Sequence, residues 1–189
     1  QSINIVYSDA TKGWIPLEDD VTALEPVAPP TQRAIFAFGY NSANVNMSNL
    51  LNSSGVMATD TTGVGTARRS GDGANYGTDK AIIAYGDASS VTNISNLVSN
   101  QGVVAADTSG VGTSRGGVGA TTYGLDKAIF GYGGGNLSMT NLVTNQGVVG
   151  SDVTGVGTGR TYLAATGYGS TGQAIFAFGV GTSESQINT

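Results

Sequence analysis

The chain has 189 residues, with 30 Gly, 4 Pro, no Cys and no His, and only 11% of its residues are Asp, Glu, Lys or Arg. The absence of Cys and His excludes disulfides, thiolate nucleophiles, imidazole bases and the ligands that zinc, copper and iron-sulfur sites prefer. The formal net charge is −5, and the eight Lys and Arg residues are thinly spread, which argues against nucleic acid as a partner.

The composition favours a folded domain over disorder, because 39% of the residues are hydrophobic and the charged fraction is low. No apolar run reaches the roughly 18 residues of a membrane helix, so no membrane insertion is predicted. The chain begins with Gln1 rather than Met, which indicates a processed product or one piece of a longer polypeptide.

Residues 1–33 differ in composition from the rest and are predicted to form an N-terminal arm. They contain all four prolines, the single Trp and most of the net charge. The alternating apolar residues of Ser2–Tyr7 predict one β-strand. The Pro-rich segment Glu25–Thr31 predicts a semi-rigid, polyproline-like spacer before the next domain.

Residues 34–179 contain three repeats of about 47 residues: 34–80, 81–127 and 128–173. One hexapeptide anchors them, as AIFAFG, AIIAYG, AIFGYG and again AIFAFG, at Ala34–Gly39, Ala81–Gly86, Ala128–Gly133 and Ala174–Gly179. Between anchors, each repeat carries a GVGT turn with an Asp before it and an Arg after it. Self-similarity at this period predicts a stacked repeat architecture. Residues 180–189 are interpreted as a C-terminal tail.

Each repeat is predicted to contain about four antiparallel β-strands, and the fourth anchor adds one closing strand. Short β-branched and aromatic runs are separated by Gly, Asn, Asp and Ser clusters, with no helical period. In the second repeat the predicted strands are Ala81–Tyr85, Asn93–Ser99, Val103–Asp107 and Gly117–Tyr123. The link Asn100-Gln101-Gly102 favours a tight turn with positive φ. The predicted fold class is therefore all-β.

The anchor strands hold half of the 14 aromatic residues that the chain contains, which predicts an aromatic packing layer between repeats. Strict strand alternation would place Phe36 and Phe38 on the same face. An open array would leave the phenylalanines of the first and last anchors exposed, which favours a homo-oligomer. These residues are Phe36, Phe38, Phe176 and Phe178.

The segment Arg115–Gly135, RGGVGATTYGLDKAIFGYGGG, resembles a kelch-type β-propeller blade. An Arg precedes a strand of small residues, and a Gly turn leads to an apolar strand ending in glycines. The sequence departs from kelch blades in lacking the blade Trp and, in two anchors, the double Gly. Three repeats fit a piece of a larger propeller, a propeller closed by several chains, or a three-fold trefoil or prism.

An Asp and an Arg stand eight residues apart in every repeat. The pairs are Asp60 with Arg68, Asp107 with Arg115 and Asp152 with Arg160. A carboxylate beside a guanidinium can form a sugar or anion site. Because the pair is repeated, whereas a catalytic site breaks internal symmetry, we interpret these residues as a structural contact within each blade.

Loops that differ between repeats are the candidates for ligand binding, because variable loops on a regular scaffold commonly carry function. The selected residues are Tyr40, Asn41, Asp87, Asn136 and Tyr162. The turn that begins at Asp60 offers one carboxylate, which is too few for a calcium site, and no metal or cofactor is predicted. No catalytic residues are assigned, and the chain is predicted not to be an enzyme.

The segments NLVSNQGVVAADTSGVGTSR and DKAIFGYG resemble repeats in virion proteins of tailed bacteriophages that infect cyanobacteria. That resemblance implies an extracellular tail-fibre or appendage subunit that assembles with itself and other virion proteins and can bind a host-surface glycan. Two alternatives stay open: a secreted carbohydrate-active enzyme built on propeller blades, and a bacterial surface adhesin.

Overall fold

The computed structural model describes residues 5–11, 13–16, 33–181 and 187–188. The chain divides into two compact units, residues 1–32 and residues 33–189. The described residues form strands, turns and bends without a helix, so the chain is all-β, and its sheets are small and antiparallel. No helix that could span a membrane occurs among them.

The first unit contains one antiparallel hairpin. Strand β1 (Ile5–Asp9) pairs with β2 (Gly13–Pro16), and the register sets Tyr7 opposite Trp14. Of the strand predicted at Ser2–Tyr7, residues Ile5–Tyr7 lie in β1, which continues to Asp9, and residues 2–4 lie outside the described residues. The Pro-rich spacer predicted at Glu25–Thr31 lies outside the described residues.

The second unit contains the strands β3 to β15. They are β3 (Ala34–Asn41), β4 (Ala43–Leu51), β5 (Asp72–Tyr76), β6 (Lys80–Ala84), β7 (Ser95–Val98), β8 (Gly119–Tyr123), β9 (Lys127–Gly133), β10 (Leu137–Val143), β11 (Arg160–Thr161), β12 (Ala164–Tyr168), β13 (Gln173–Ala177), β14 (Val180–Gly181) and β15 (Ile187–Asn188). Residues 180–189, interpreted from sequence as a tail, thus supply two strands that pair with the repeats.

Four successive sheets follow the four anchors. We call them sheet 1 (β3-β4), sheet 2 (β5-β6-β7), sheet 3 (β8-β9-β10) and sheet 4 (β12-β13-β15), and a short β11-β14 pair adjoins the last. In sheets 2, 3 and 4 the anchor hexapeptide supplies the central strand. A neighbouring strand pairs with each of its two edges, which suits its apolar sequence. The pairing of Phe176 with Asn188 repeats the pairing of Phe130 with Asn141.

The fourth strand predicted for each repeat is present only as isolated bridges. Thr108 bridges Ser95, and Val104 bridges Val98, at the outer edge of sheet 2. The same bridges recur on sheet 3. The residues between the bridges are mostly exposed, so this outer segment lacks the apolar packing that would support a continuous ladder. The prediction of a continuous strand at Val103–Asp107 is therefore wrong, because this segment forms only isolated bridges.

A left-handed residue lies within or directly after each anchor strand. Phe38, Tyr85, Tyr132 and Phe178 have φ of 64°, 63°, 63° and 62°. In sheets 1 and 3 the register shifts at or just after this residue. The bulge redirects the aromatic ring, so the predicted alternation that placed Phe36 and Phe38 on one face is wrong.

Aromatic rings pack between neighbouring sheets. Tyr85 of sheet 2 lies 5.4 Å from Phe130 of sheet 3, and Tyr132 of sheet 3 lies 5.5 Å from Phe176 of sheet 4, measured between ring centroids. These four rings are buried. Tilted rings at such distances contribute roughly 0.5–1.5 kcal/mol beyond their area burial. The predicted aromatic layer between repeats is therefore present at these two junctions.

Candidate functional site

A buried arginine joins each repeat to the next. The Arg68 side chain, 1% exposed, donates from Nε to the Tyr85 carbonyl at 2.9 Å and from Nη2 to Asn96 Oδ1 at 2.7 Å. Its guanidinium also lies 3.9 Å from the centre of the Phe38 ring in sheet 1. Burial lowers the pKa of Arg68 to about 10, with the charge of Asp107 opposing the shift, so the side chain stays charged at neutral pH.

A carboxylate and an amide complete this contact. Asp107 accepts hydrogen bonds from Thr66, through the backbone N–H at 3.0 Å and the hydroxyl at 2.7 Å, and from Asn96 Nδ2 at 2.9 Å. Burial acts to raise the pKa of Asp107, but these hydrogen bonds and the charge of Arg68 outweigh it and hold the pKa below its ordinary value. We call Arg68, Thr66, Asn96 and Asp107 the junction network.

The same network recurs at the second junction. Arg115 donates to the Tyr132 carbonyl at 2.7 Å and to Asn141 Oδ1 at 2.6 Å, and its Nη1 lies 3.8 Å from Asp152. Thr113 donates to Asp152 as Thr66 does to Asp107. The recurrence of the same hydrogen bonds at similar distances indicates a structural role.

Asp107 and Asp152 therefore interact with the Arg of the preceding repeat, not with the Arg eight residues later. The predicted pairing within a repeat needs Asp60 beside Arg68, but the charge of Arg68 acts on Asp107 instead. In the described residues, Asp60 accepts a side-chain hydrogen bond only from Asn49, at 2.8 Å. The third arginine, Arg160, is buried, donates to the Phe176 carbonyl at 3.0 Å and lies 4.3 Å from the Tyr132 ring centre.

Glycine is required where the turn meets the carboxylate. Gly65 and Gly112 have φ of +82° and +78°, and a Cβ at either would collide with the carboxylate of Asp107 or Asp152. The GVGT turns of the sequence thus allow the close approach of two repeats.

A second group of residues lies together on the surface, at positions that differ between repeats. Tyr40 is the penultimate residue of β3 and is 59% exposed, and the guanidinium of Arg69 lies 4.8 Å from its ring centre. The backbones of Arg69 and Asp87 exchange two hydrogen bonds, of 3.0 and 2.7 Å. The Tyr40 ring, the Arg69 guanidinium and Asp87 thus lie next to one another across sheets 1 and 2.

The group extends toward sheet 4 through a pair of glycines. The Asp87 carboxylate lies over Gly116, where a Cβ would collide with it, and the Tyr162 ring lies 3.3 Å from the Cβ position of Gly117. Tyr162 is 65% exposed and has φ of 55°, an uncommon conformation for an aromatic residue. We call Tyr40, Arg69, Asp87 and Tyr162 the surface strip.

Two of the predicted ligand-binding residues lie at hairpin tips. Asn41 follows Tyr40 at the tip of the β3-β4 hairpin, and Asn136, with φ of 53°, is at the tip between β9 and β10. Both are exposed. The structure thus unites Tyr40, Asp87 and Tyr162 in the strip but gives Asn136 no contact with it.

Sequence reasoning missed Arg69 and Asn44. Asn44 donates from Nδ2 to the carbonyls of Asp87 and Ala88 at 3.0 and 2.9 Å, which ties the Asp87 loop to sheet 1. Its Oδ1 is buried without a hydrogen-bond partner. A signal for Arg69 is present in the sequence. The repeated Arg of each repeat is followed by Arg69 in the first, by Gly116 in the second and by Thr161 in the third, so the position after it varies.

Asp72, at the start of β5, is an acidic residue that the other repeats lack. Asp72 in β5 accepts from its neighbour Gly73 N–H at 2.8 Å and from Ala120 N–H of sheet 3 at 2.7 Å. Burial raises the pKa of Asp72, and these two hydrogen bonds offset only part of the shift. The corresponding residue of sheet 3 is Gly119, so this carboxyl occurs once. Within the part of the chain that the structure describes, no three acidic residues gather as a metal site.

No protein-family model matches the chain, and no curated protein is significantly similar to it. Among solved structures, the fold matches the one titled "Structure of YjhT", with a TM-score of 0.56 and 13% sequence identity. The match covers 76% of this chain and 48% of that chain, so the chain spans about half the length of YjhT. At this identity the match shows a shared fold alone.

The match to YjhT overturns the sequence-based prediction that the chain is not an enzyme. That prediction rested on the absence of His and Cys and on internal symmetry. The shared fold gives no ground for excluding catalysis, and carboxyl groups can serve as acids and bases without His. Asp72, whose equivalent in sheet 3 is Gly119, also shows that equivalent positions of the repeats can carry different chemistry.

Proposed function

We propose that the chain is a subunit of a virion fibre or appendage whose repeats are blades of a propeller-like array and whose surface strip binds a glycan of the host surface. The virion assignment draws on the sequence resemblance to bacteriophage repeat proteins. An extracellular location and assembly with other virion proteins follow from the same resemblance.

The blade interpretation is supported by how the sheets adjoin. The first strands β5, β8 and β12 lie side by side, with Gly77 N–H donating to the Asp126 carbonyl and Gly124 N–H to the Gly172 carbonyl, both at 2.7 Å. Successive small sheets that contact one another through their first strands are the arrangement of propeller blades around an axis.

Glycan binding is supported by the surface strip. Exposed Tyr rings provide flat apolar faces for the C–H face of a sugar, while Arg and Asp provide a donor and an acceptor for hydroxyl groups. The strip occurs once on a repeated scaffold, since its residues are not shared by the other repeats. This non-repeated strip is the observation on which the proposed binding function rests.

A binding titration against surface polysaccharide extracted from the host tests this function. We expect Tyr40→Ala and Tyr162→Ala each to weaken binding about tenfold, the loss of roughly 1.4 kcal/mol that one aromatic contact supplies. The matched control is Tyr168→Ala, which removes a 46% exposed Tyr of β12 outside the strip. Equal affinities for Tyr40→Ala and Tyr168→Ala would contradict the proposal. Mass spectrometry of purified virions tests the location.

Asp72 favours a second candidate, a carbohydrate-active enzyme. A half-buried carboxyl whose pKa is raised by burial is a candidate general acid that donates a proton to a leaving oxygen. Release of reducing ends from the same polysaccharide, abolished by Asp72→Asn and retained by Asp60→Asn, would establish this candidate. Absence of turnover in the unmodified chain would remove it.

A further inference from the structure

The contact between sheets 2 and 3 and the contact between sheets 3 and 4 use the same two anchor positions. The fifth residue of one anchor, Tyr85 or Tyr132, packs against the third residue of an anchor in the next sheet, Phe130 or Phe176. All four rings are at most 5% exposed. A sheet therefore offers its third-position ring on one face and its fifth-position ring on the other.

The first and last sheets each expose one half of this contact. Phe36, the third-position ring of sheet 1, is 57% exposed, and Phe178, the fifth-position ring after β13 of sheet 4, is 58% exposed. The sequence-based expectation that all four terminal phenylalanines are exposed is correct only for these two. Phe38 is covered by Arg68, and Phe176 is buried against Tyr132.

We infer that a second copy of this chain docks head to tail, with Phe178 of one copy packed on Phe36 of the other. The inference rests on the blade array of the proposed function. The two faces are complementary halves of a contact that the chain makes twice within itself, so the occupant is a copy of the chain and not an unrelated surface. Met47 of β4 in sheet 1 and Val180 of β14, two residues after Phe178, are further exposed apolar residues, at 37% and 56%.

The geometry of such a contact is heterologous, because different surfaces meet. A heterologous contact generates either a closed ring or an open filament. The chain matches 48% of YjhT, so two copies supply the length of one such fold. We take the closed alternative, in which two copies, each contributing one head and one tail, form a ring with two identical junctions.

Sedimentation velocity of the full chain at tens of micromolar tests the assembly. The expected result is one species with twice the 19.0 kDa of the chain. Phe36→Asp and Phe178→Asp are each expected to be monomeric, because each destroys one half of both junctions. The control Val156→Asp, at a 77% exposed position away from the anchors, keeps the double mass.

Mixing the two variants separates head-to-tail docking from a symmetric contact. Phe36→Asp keeps an intact tail and Phe178→Asp an intact head, so an equimolar mixture regains a species of double mass. Cross-linking gives a second test. The chain has no Cys, so a short bismaleimide reacts only with cysteines introduced by Ala34→Cys and Val180→Cys, and both phenylalanines are kept. Cross-links between 34 and 180 are expected, and cross-links only between like positions would refute the docking mode.

Three results would overturn the inference: a monomeric unmodified chain, a Phe178→Asp variant that retains the double mass alone, or an open polymer. Circular dichroism of each variant shows whether it is folded, and the cross-link pattern does not require either aromatic substitution. The mass readout does not involve glycan, and the polysaccharide titration can be made on monomeric variants. A failure of docking is therefore distinguishable from a failure of the proposed glycan binding.

Discussion

Replacing Arg68 by Met removes the centre of the first junction network while keeping a long unbranched side chain. The four lost hydrogen bonds are those to the carbonyls of Tyr85 at 2.9 Å, Ile83 at 3.2 Å and Thr66 at 3.3 Å, and to Asn96 Oδ1 at 2.7 Å. The site is 1% exposed, so solvent does not replace these bonds readily. The thioether fills most of the vacated volume, and the effect is therefore mainly polar.

The magnitude follows from the acceptors left behind. Each buried acceptor without a partner costs about 1–3 kcal/mol, and removing one partner of a buried charged network typically costs about 3–5 kcal/mol. Met recovers part of this through packing, so we expect a loss of about 3 kcal/mol in the free energy of unfolding. For a chain of this size that corresponds to a fall in Tm of about 10 °C.

Urea denaturation of the folded chain measures this loss as a lower midpoint at unchanged slope. The neighbouring Arg69→Met is a matched control, because Arg69 is exposed and its guanidinium lies over the ring of Tyr40. An exposed cation–π contact is worth about 0.5–1 kcal/mol. If Arg68→Met and Arg69→Met lose the same stability within about 1 kcal/mol, the buried arginine does not hold the repeats together.

Two further predictions concern the same junctions. The pKa values of Asp107 and Asp152 lie below the ordinary value of 3.8, so these groups add stability above that pH which is lost as the pH falls through their folded pKa. Replacing both by Asn is therefore expected to flatten the acid limb of the curve of urea midpoint against pH below about pH 4, with Asp60→Asn as the control. Gly112→Ala is expected to destabilise the chain by at least about 1 kcal/mol more than Gly55→Ala, since both have positive φ but only Gly112 meets a carboxylate. Equal urea midpoints for the two alanine variants would refute that contact.

The repeat period, the strands and the turn chemistry could be predicted because they are local. Each anchor hexapeptide forms a strand, and the positive φ expected at Gly102 is observed, at 80°. The outer segment around Val103–Asp107 could not be predicted correctly, because β-branched residues favour a strand while the exposed edge supports only isolated bridges.

The partners across a junction were not predictable from spacing. Asp60 and Arg68 are close in sequence, but the turn between them carries Arg68 into the next repeat, where Asn96 and Asp107 lie. Because every repeat carries the same Asp and Arg, the sequence pattern is the same whether an Arg pairs with the Asp of its own repeat or with that of the next. For the same reason the surface strip was found only in part: Arg69 contacts Tyr40 from the following segment of the chain, and no spacing rule joins the two.

A double-mutant cycle tests most directly whether the repeated residues hold one repeat to the next. The cycle combines Thr66→Val with Asp107→Asn, whose parent groups are joined at 2.7 Å, and a parallel cycle combines Thr66→Val with Asp60→Asn of the same repeat. We expect a coupling energy of about 1–2 kcal/mol for the first pair and about zero for the second. Coupling confined to Thr66 and Asp60, or absent from both pairs, would contradict a network that joins successive repeats.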